Sequence, residues 1–205
     1  MSGRMMNKFL SVFSAFLLVS LATGCNPASS ENAKTEAPLA GAKIGGSFTL
    51  TNQDGGLTSD DDFKGQYRII YFGYSYCPDV CPVDLANLMN GLTLAEKADP
   101  ALADKVQPIF ITIDPERDGP EQLKQYVDNF HPRLIGLTGS VDAIAAVAKK
   151  YLIIYNKRES PGFSEYLVDH SRQGYLFGPE GEPIALLPFD GTPQQIADEI
   201  KRWMK

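Results

Sequence analysis

Two cysteines separated by three residues, in Cys77-Pro78-Asp79-Val80-Cys81, and a histidine far downstream at His170 are the side chains of this chain best suited to chemistry. The sequence holds three cysteines and two histidines in all. Cys25 lies in an amino-terminal segment with its own explanation, so Cys77 and Cys81 have each other as sulfur partners. Thiolate sulfur favours Cu(I), and imidazole serves both Cu(I) and Cu(II), so two thiols and one imidazole form a soft-metal set. Three ligands leave an open side, which suits transfer: an incoming donor can join before the first lets go. Thiols must lose their protons to bind metal, so binding weakens as pH falls. The same pair can close a disulfide. Metal, disulfide or both remain open on these residues.

The elements that must position these groups follow from the hydrophobic pattern. The apolar run Tyr67 to Phe72 reads as a buried strand ending just before Cys77. Past the pair, Pro82 suits a first helical position and Asp84 a first turn. Leu85, Leu88, Met89 and Leu92 mark one apolar face, which predicts a helix beginning just after Cys81. A helix start with free N–H groups favours the thiolate. Upstream, Ser47 to Thr51 alternates, Asp54-Gly55-Gly56 supplies a turn, and Leu57 begins a second short strand, together an amino-terminal hairpin. Downstream, the pattern predicts strands over 106–113 and 134–137, a helix over 121–130, and a helix capped by Ser140 through Lys150. A further strand over 153–156 precedes a loop carrying His170. Strands over 174–177 and 184–187 flank Pro179-Glu180-Gly181 as a closing hairpin, and Thr192-Pro193-Gln194-Gln195 is a capping box opening the last helix. Strands alternating with helices define an α/β sheet with helices on both faces, and a thioredoxin-like sheet is the best match. Chemistry gathers in such sheets where strand ends meet helix starts, and the cysteine pair occupies such a place. Asp114 ends a strand parallel to the one before Cys77, so its loop falls on the same edge.

Arg4 and Lys8, the apolar stretch Phe9 to Leu21, and the small residues before Cys25 read as an export signal too short to span a bilayer comfortably. Leu21-Ala22-Thr23-Gly24-Cys25 resembles the lipobox of bacterial lipoproteins, in which the cysteine is acylated and becomes the first mature residue. An ordinary secretory signal or an uncleaved anchor are the alternatives, and all three place the domain outside the cytoplasm, on the periplasmic or outer side of a membrane. Residues 1–24 contain two bases and no acids, so the mature chain would carry 17 basic against 25 acidic side chains. That sign excludes a nucleic-acid partner and a basic membrane patch. Residues 25–43, rich in Ala, Ser, Pro, Glu and Lys without apolar periodicity, read as a flexible lipid-anchored tether. Residues 44–205 suffice for one domain.

The run Phe72-Gly73-Tyr74-Ser75-Tyr76-Cys77-Pro78-Asp79-Val80-Cys81-Pro82, followed by Asp114-Pro115-Glu116-Arg117-Asp118 and Asp169-His170-Ser171, resembles the Sco/SenC copper proteins over nearly all of 44–205. The resemblance implies a thioredoxin-like fold, an extracytoplasmic anchor, and copper held by Cys77, Cys81 and His170. It also implies a role in assembling the binuclear copper centre of cytochrome c oxidase. The expected partners are the apo copper-binding subunit of that oxidase and a periplasmic copper donor or thiol reductant. The acylated Cys25 would replace the transmembrane helix of many relatives.

Zinc could use the same three side chains plus water, although structural zinc sites usually close with four protein ligands. The sharper rival is thiol–disulfide exchange without copper delivery. Three residues instead of two between the cysteines, no Trp before Cys77 and no Pro before the Gly174 strand argue against a plain thioredoxin. A lipoprotein with a merely structural disulfide is a third class. Asp169 is a candidate to orient His170, and the segment Asp114 to Asp118, with Asp114 foremost, a candidate to shape the site or a docking surface, a solvated turn begun by Asp-Pro being the alternative. Tyr74 and Tyr76 suit either a site wall or the core, and Trp203 suits packing. His131, in Phe130-His131-Pro132-Arg133, reads as a solvated surface residue.

Overall fold

A computed structural model describes residues 36–159 and 166–204. The expected signal peptide, Cys25 and the start of the tether lie outside the described residues.

The sheet is built around β3 (Tyr67–Gly73), whose residues from Arg68 onward are all buried. Such a continuous buried run is what a strand covered on both faces requires. β3 pairs in parallel with β4 (Val106–Thr112), and β4 in parallel with β5 (Ile135–Thr138). The amino-terminal hairpin of β1 (Thr49–Asn52) and β2 (Leu57–Ser59) adds antiparallel strands beyond β5. On the other side of β3, the closing hairpin of β8 (Gly174–Phe177) and β9 (Pro183–Leu187) pairs antiparallel. The order is β2-β1-β5-β4-β3-β8-β9. Helices α1 (Val80–Ala98), α2 (Leu102–Lys105), α3 (Pro120–Val127), α4 (Val141–Lys150) and α5 (Pro193–Trp203) flank it. Ser140 and the Thr192–Gln195 box cap α4 and α5 as the sequence predicts. Gly91 lets α1 and α5 pack closely: a Cβ there would stand 2.5 Å from the Ile196 side chain.

Three expectations change. Helix α1 begins at Val80, so Cys81 lies inside its first turn and Pro82 is the third helical residue. Proline is tolerated throughout a first turn, where N–H groups lack intrahelical partners, so it marks the start only loosely. The domain also begins before residue 44. The Leu39 N–H donates to the Ile184 carbonyl at 2.9 Å, Gly45 N–H donates to the Lys150 carbonyl at 2.9 Å, and Ala37 and Leu39 pack against the core. A lone leucine without periodic neighbours gives no pattern to read. Finally, His170 is in no loop. It ends β7 (Leu167–His170), which pairs antiparallel with β6 (Tyr155–Arg158) as a separate two-stranded ribbon, with Tyr155 opposite His170.

Candidate metal and dithiol site

Strand β3 runs out at Gly73, and the chain turns through Ser75 and Tyr76 before entering α1. This turn is braced from below. Buried Asp118 accepts from the Ser75 N–H at 2.9 Å, the Ser75 hydroxyl at 2.5 Å and the Thr112 hydroxyl at 2.6 Å. Burial raises the pKa of Asp118 above its ordinary value, against the pull of those donors. Asp118 is therefore the acid that shapes the cysteine turn. Asp114, the sequence candidate, instead binds Arg117 Nε at 2.5 Å and the Tyr166 hydroxyl at 2.7 Å, so it meets the ribbon through Tyr166.

Within this frame the three predicted groups converge. The Cys81 N–H donates to Cys77 Sγ at 3.4 Å, and Cys81 Sγ stands 3.1 Å from His170 Nε2. The other ring nitrogen, His170 Nδ1, lies 2.9 Å from the Ser171 carbonyl oxygen. A carbonyl can only accept, so Nδ1 carries the proton and Nε2 presents its lone pair to the sulfur. Cys77 is held well below the ordinary thiol range, first by the hydrogen bond from the Cys81 thiol, then by N–H groups of Cys81 and Asp79, with burial opposing. Cys81 is pushed up by the same bond and by its burial. The pair thus holds one proton, on Cys81, whose thiol faces two acceptors, the Cys77 thiolate and the His170 Nε2 lone pair. Gly73 makes room for this: a Cβ there would lie 3.1 Å from Cys81 Sγ and 3.0 Å from the Tyr71 ring.

Tyr74 serves as both core and wall. It is buried, its ring meets the His170 ring edge-on at 6.1 Å between centroids, and its hydroxyl accepts from the Val168 N–H at 3.2 Å. Tyr76 does neither core duty: it is 46% exposed, with the Arg117 guanidinium 5.0 Å from its ring centroid. A cleft of about 480 Å³ opens over Cys77, lined by Tyr74, Asp79, Arg158, Val168 and His170 among others. Asp169 does not orient His170. Successive strand side chains point to opposite faces, and the Asp169 carboxylate pairs with Arg158 Nε at 2.8 Å. The Ser171 carbonyl takes the orienting role. His131 is buried, not solvated: Nε2 lies 3.3 Å from Glu96, Nδ1 accepts from the Arg133 N–H, and burial lowers its basicity. Trp203 is partly buried against the core, as expected of a packing residue.

Among the described residues, no three His, Cys, Asp or Glu side chains already surround a ready-made cation position. The donors of Cys77, Cys81 and His170 are drawn inward, hydrogen-bonded to one another. The donor set nevertheless has the composition of a soft-metal site: two sulfurs, one of them already a thiolate, and an imidazole lone pair on the correct nitrogen.

Fold and site together define a thioredoxin-like domain in which a dithiol at the end of a central strand faces an imidazole from a separate ribbon. A family model described as SCO1/SenC matches residues 36–205, and the chain belongs to that family. It is 37% identical over 172 residues to Protein sco1 of Schizosaccharomyces pombe, covering 83% of this chain and 64% of that one. The chain thus spans a little under two thirds of the length of that curated relative. Among solved structures, Arabidopsis thaliana ScoI with copper bound superposes with a TM-score of 0.72 at 38% identity, covering 78% of this chain and 97% of the other. BsSco, described as having a disulfide switch and as a member of the Sco family of cytochrome c oxidase assembly proteins, superposes at 0.63 with 27% identity, over 83% and 98% of the two chains. The thioredoxin domain of a Bacteroides vulgatus thiol-disulfide oxidoreductase, 17% identical with a TM-score of 0.55, shares the fold.

Proposed function

We propose that this protein is a copper-binding assembly factor. Cys77, Cys81 and His170 hold copper and pass it to the apo copper-binding subunit of a cytochrome c oxidase. The observation that carries this reading is the 3.1 Å approach of His170 Nε2 to Cys81 Sγ with Nδ1 engaged elsewhere. A plain disulfide reductase has no need of a lone pair aimed at its buried sulfur. A metal at about 2.3 Å from sulfur and about 2.0 Å from nitrogen keeps those donors roughly 3.5–3.8 Å apart. Loading therefore parts Cys81 and His170 by roughly half an ångström, which a ribbon outside the main sheet can absorb. Copper bound to two thiolates and one imidazole keeps an open side for the incoming client ligand. Acylated Cys25 would hold the domain at the outer face of a membrane, within reach of a membrane-bound client and of a copper donor or thiol reductant. Among the described residues no helix is long and apolar enough to cross a membrane.

Reduction of client cysteines is the second reading, favoured by the thiolate at Cys77, and the two roles are compatible. The test is an anaerobic Cu(I) titration of the reduced protein against a competing chelator, with Cys77→Ser, Cys81→Ser and His170→Ala in parallel. One tight equivalent, much weakened in all three variants, is expected. Weak binding, or binding indifferent to His170, overturns the copper reading in favour of dithiol exchange.

A further inference from the structure

Behind Cys81 lies a buried carboxylate that the metal set does not use. Asp84 is 1% exposed and sits on α1 one turn after Cys81. Its Oδ2 accepts from the Tyr71 hydroxyl at 2.9 Å and from Arg172 Nε at 2.9 Å, and its Oδ1 from Arg172 Nη2 at 2.6 Å. The guanidinium also lies 5.1 Å from the Phe189 ring centroid, and the Phe189 carbonyl accepts from the Asn87 side chain on the same helix at 3.2 Å. Two members of this network, Arg172 and Tyr71, adjoin members of the site. Arg172 follows His170 by two residues. Tyr71 stands on β3 beside Cys81, close enough that a charge on the sulfur disfavours ionisation of its hydroxyl.

We propose that Arg172 and Asp84 are positioning residues that clamp the segment following His170 onto the helix carrying Cys81, and so set the imidazole against the sulfur. A bidentate guanidinium–carboxylate pair fixes orientation as well as distance, which a lysine at the same place does not. The placement supports this function. A pair serving stability alone could sit anywhere on α1, whereas this one joins Asp84, one turn after Cys81, to Arg172, two residues after His170. The ribbon has other ties: Ser171 exchanges hydrogen bonds with Ile154, and the Val168 N–H donates to the Tyr74 hydroxyl. Those hold β6 and β7 to each other and to the cysteine turn. Among the described residues, the Arg172 pair is the side-chain ion pair that joins this segment to α1 itself.

The inference rests on the copper-site reading for its purpose, but its geometry can be tested without metal. The sequence contains two histidines, so the imidazole NMR spectrum of the untagged, reduced, copper-free protein has two sets of ring signals, assigned by His170→Ala. Arg172→Ala is expected to shift or broaden the His170 ring signals and leave those of His131 in place. Arg172→Lys should restore them in part, and Asp84→Asn should reproduce the loss. With copper, Arg172→Ala should weaken Cu(I) binding roughly 10- to 100-fold, the usual cost of losing an outer-shell support. That loss should vanish when His170 is already alanine. Unchanged His170 ring signals in folded Arg172→Ala or Asp84→Asn overturn the proposal. So does a loss of affinity of equal size with and without His170. If the wild-type protein binds no copper tightly, the ring signals alone decide.

Discussion

The shared proton of the dithiol makes a sharp prediction about Cys77. An ordinary thiol, with a pKa near 8.5, is about a thousandth ionised at about pH 5.5 and about a quarter ionised at about pH 8, so its alkylation rate climbs roughly 200-fold over that interval. Cys77 has its pKa pushed down to about 3, first by the hydrogen bond from the Cys81 thiol. Its alkylation by iodoacetamide, followed by mass on the Cys77 peptide of the reduced metal-free protein, should be flat across the same range. The plateau will be modest, because a low-pKa thiolate is a weaker nucleophile. The shape of the profile carries the test. Cys81→Ala removes the leading cause. Loss of one hydrogen bond to a charged acceptor, about 1.5–3 kcal/mol, moves the Cys77 midpoint up by roughly one to two pH units. Thiolate absorbance near 240 nm, titrated into acid, reads that shift. A wild-type rate rising close to tenfold per pH unit refutes the shared-proton arrangement, as does a Cys81→Ala midpoint that stays put or falls.

Two further outcomes are expected of the dithiol and of the helix packing. Cys77 enters the neutral range already ionised and Cys81 still protonated. Copper binding therefore displaces about one proton from the pair, and the logarithm of Cu(I) affinity should rise with a slope near one between about pH 7 and about pH 8.5; a slope near two would show both thiols protonated. At the α1–α5 contact, Gly91→Ala should lower stability in urea by about 1–3 kcal/mol despite the roughly 1 kcal/mol gain in helix propensity. The added Cβ has the Ile196 side chain at 2.5 Å and the Pro193 carbonyl at 3.1 Å to contend with. A more stable variant would show that the two helices part without cost.

Much of this architecture was legible because it is local. The buried run of β3, the caps of α4 and α5 and both terminal hairpins announce themselves within a few residues. The parallel pairing of β3 with β4 follows from the helix between them. What escaped depends on partners far apart. The ribbon carrying His170 is four residues paired with four largely exposed ones, Tyr-Asn-Lys-Arg, which show no alternation of burial to read. His131 looks solvated beside Pro132 and Arg133 until Glu96, 35 residues earlier, is brought against it. The motif Asp114-Pro115-Glu116-Arg117-Asp118 could be singled out, yet which carboxylate turns inward to Ser75 is settled by packing. The Asp84–Arg172 pair spans 88 residues and leaves no local signature.

The separation of the site's halves also has a consequence for biogenesis. Cys81 and His170 lie 89 residues apart in the chain, and β8, which completes the hydrogen bonding of β3, is made after His170. At synthesis rates of about 5–20 residues per second, the two thiols exist for roughly 5–20 seconds before their imidazole does. Through that interval neither the ribbon nor the final sheet edge shields them. The nascent chain thus carries an open dithiol, and the three-donor site is completed only when the carboxy-terminal third folds back over it.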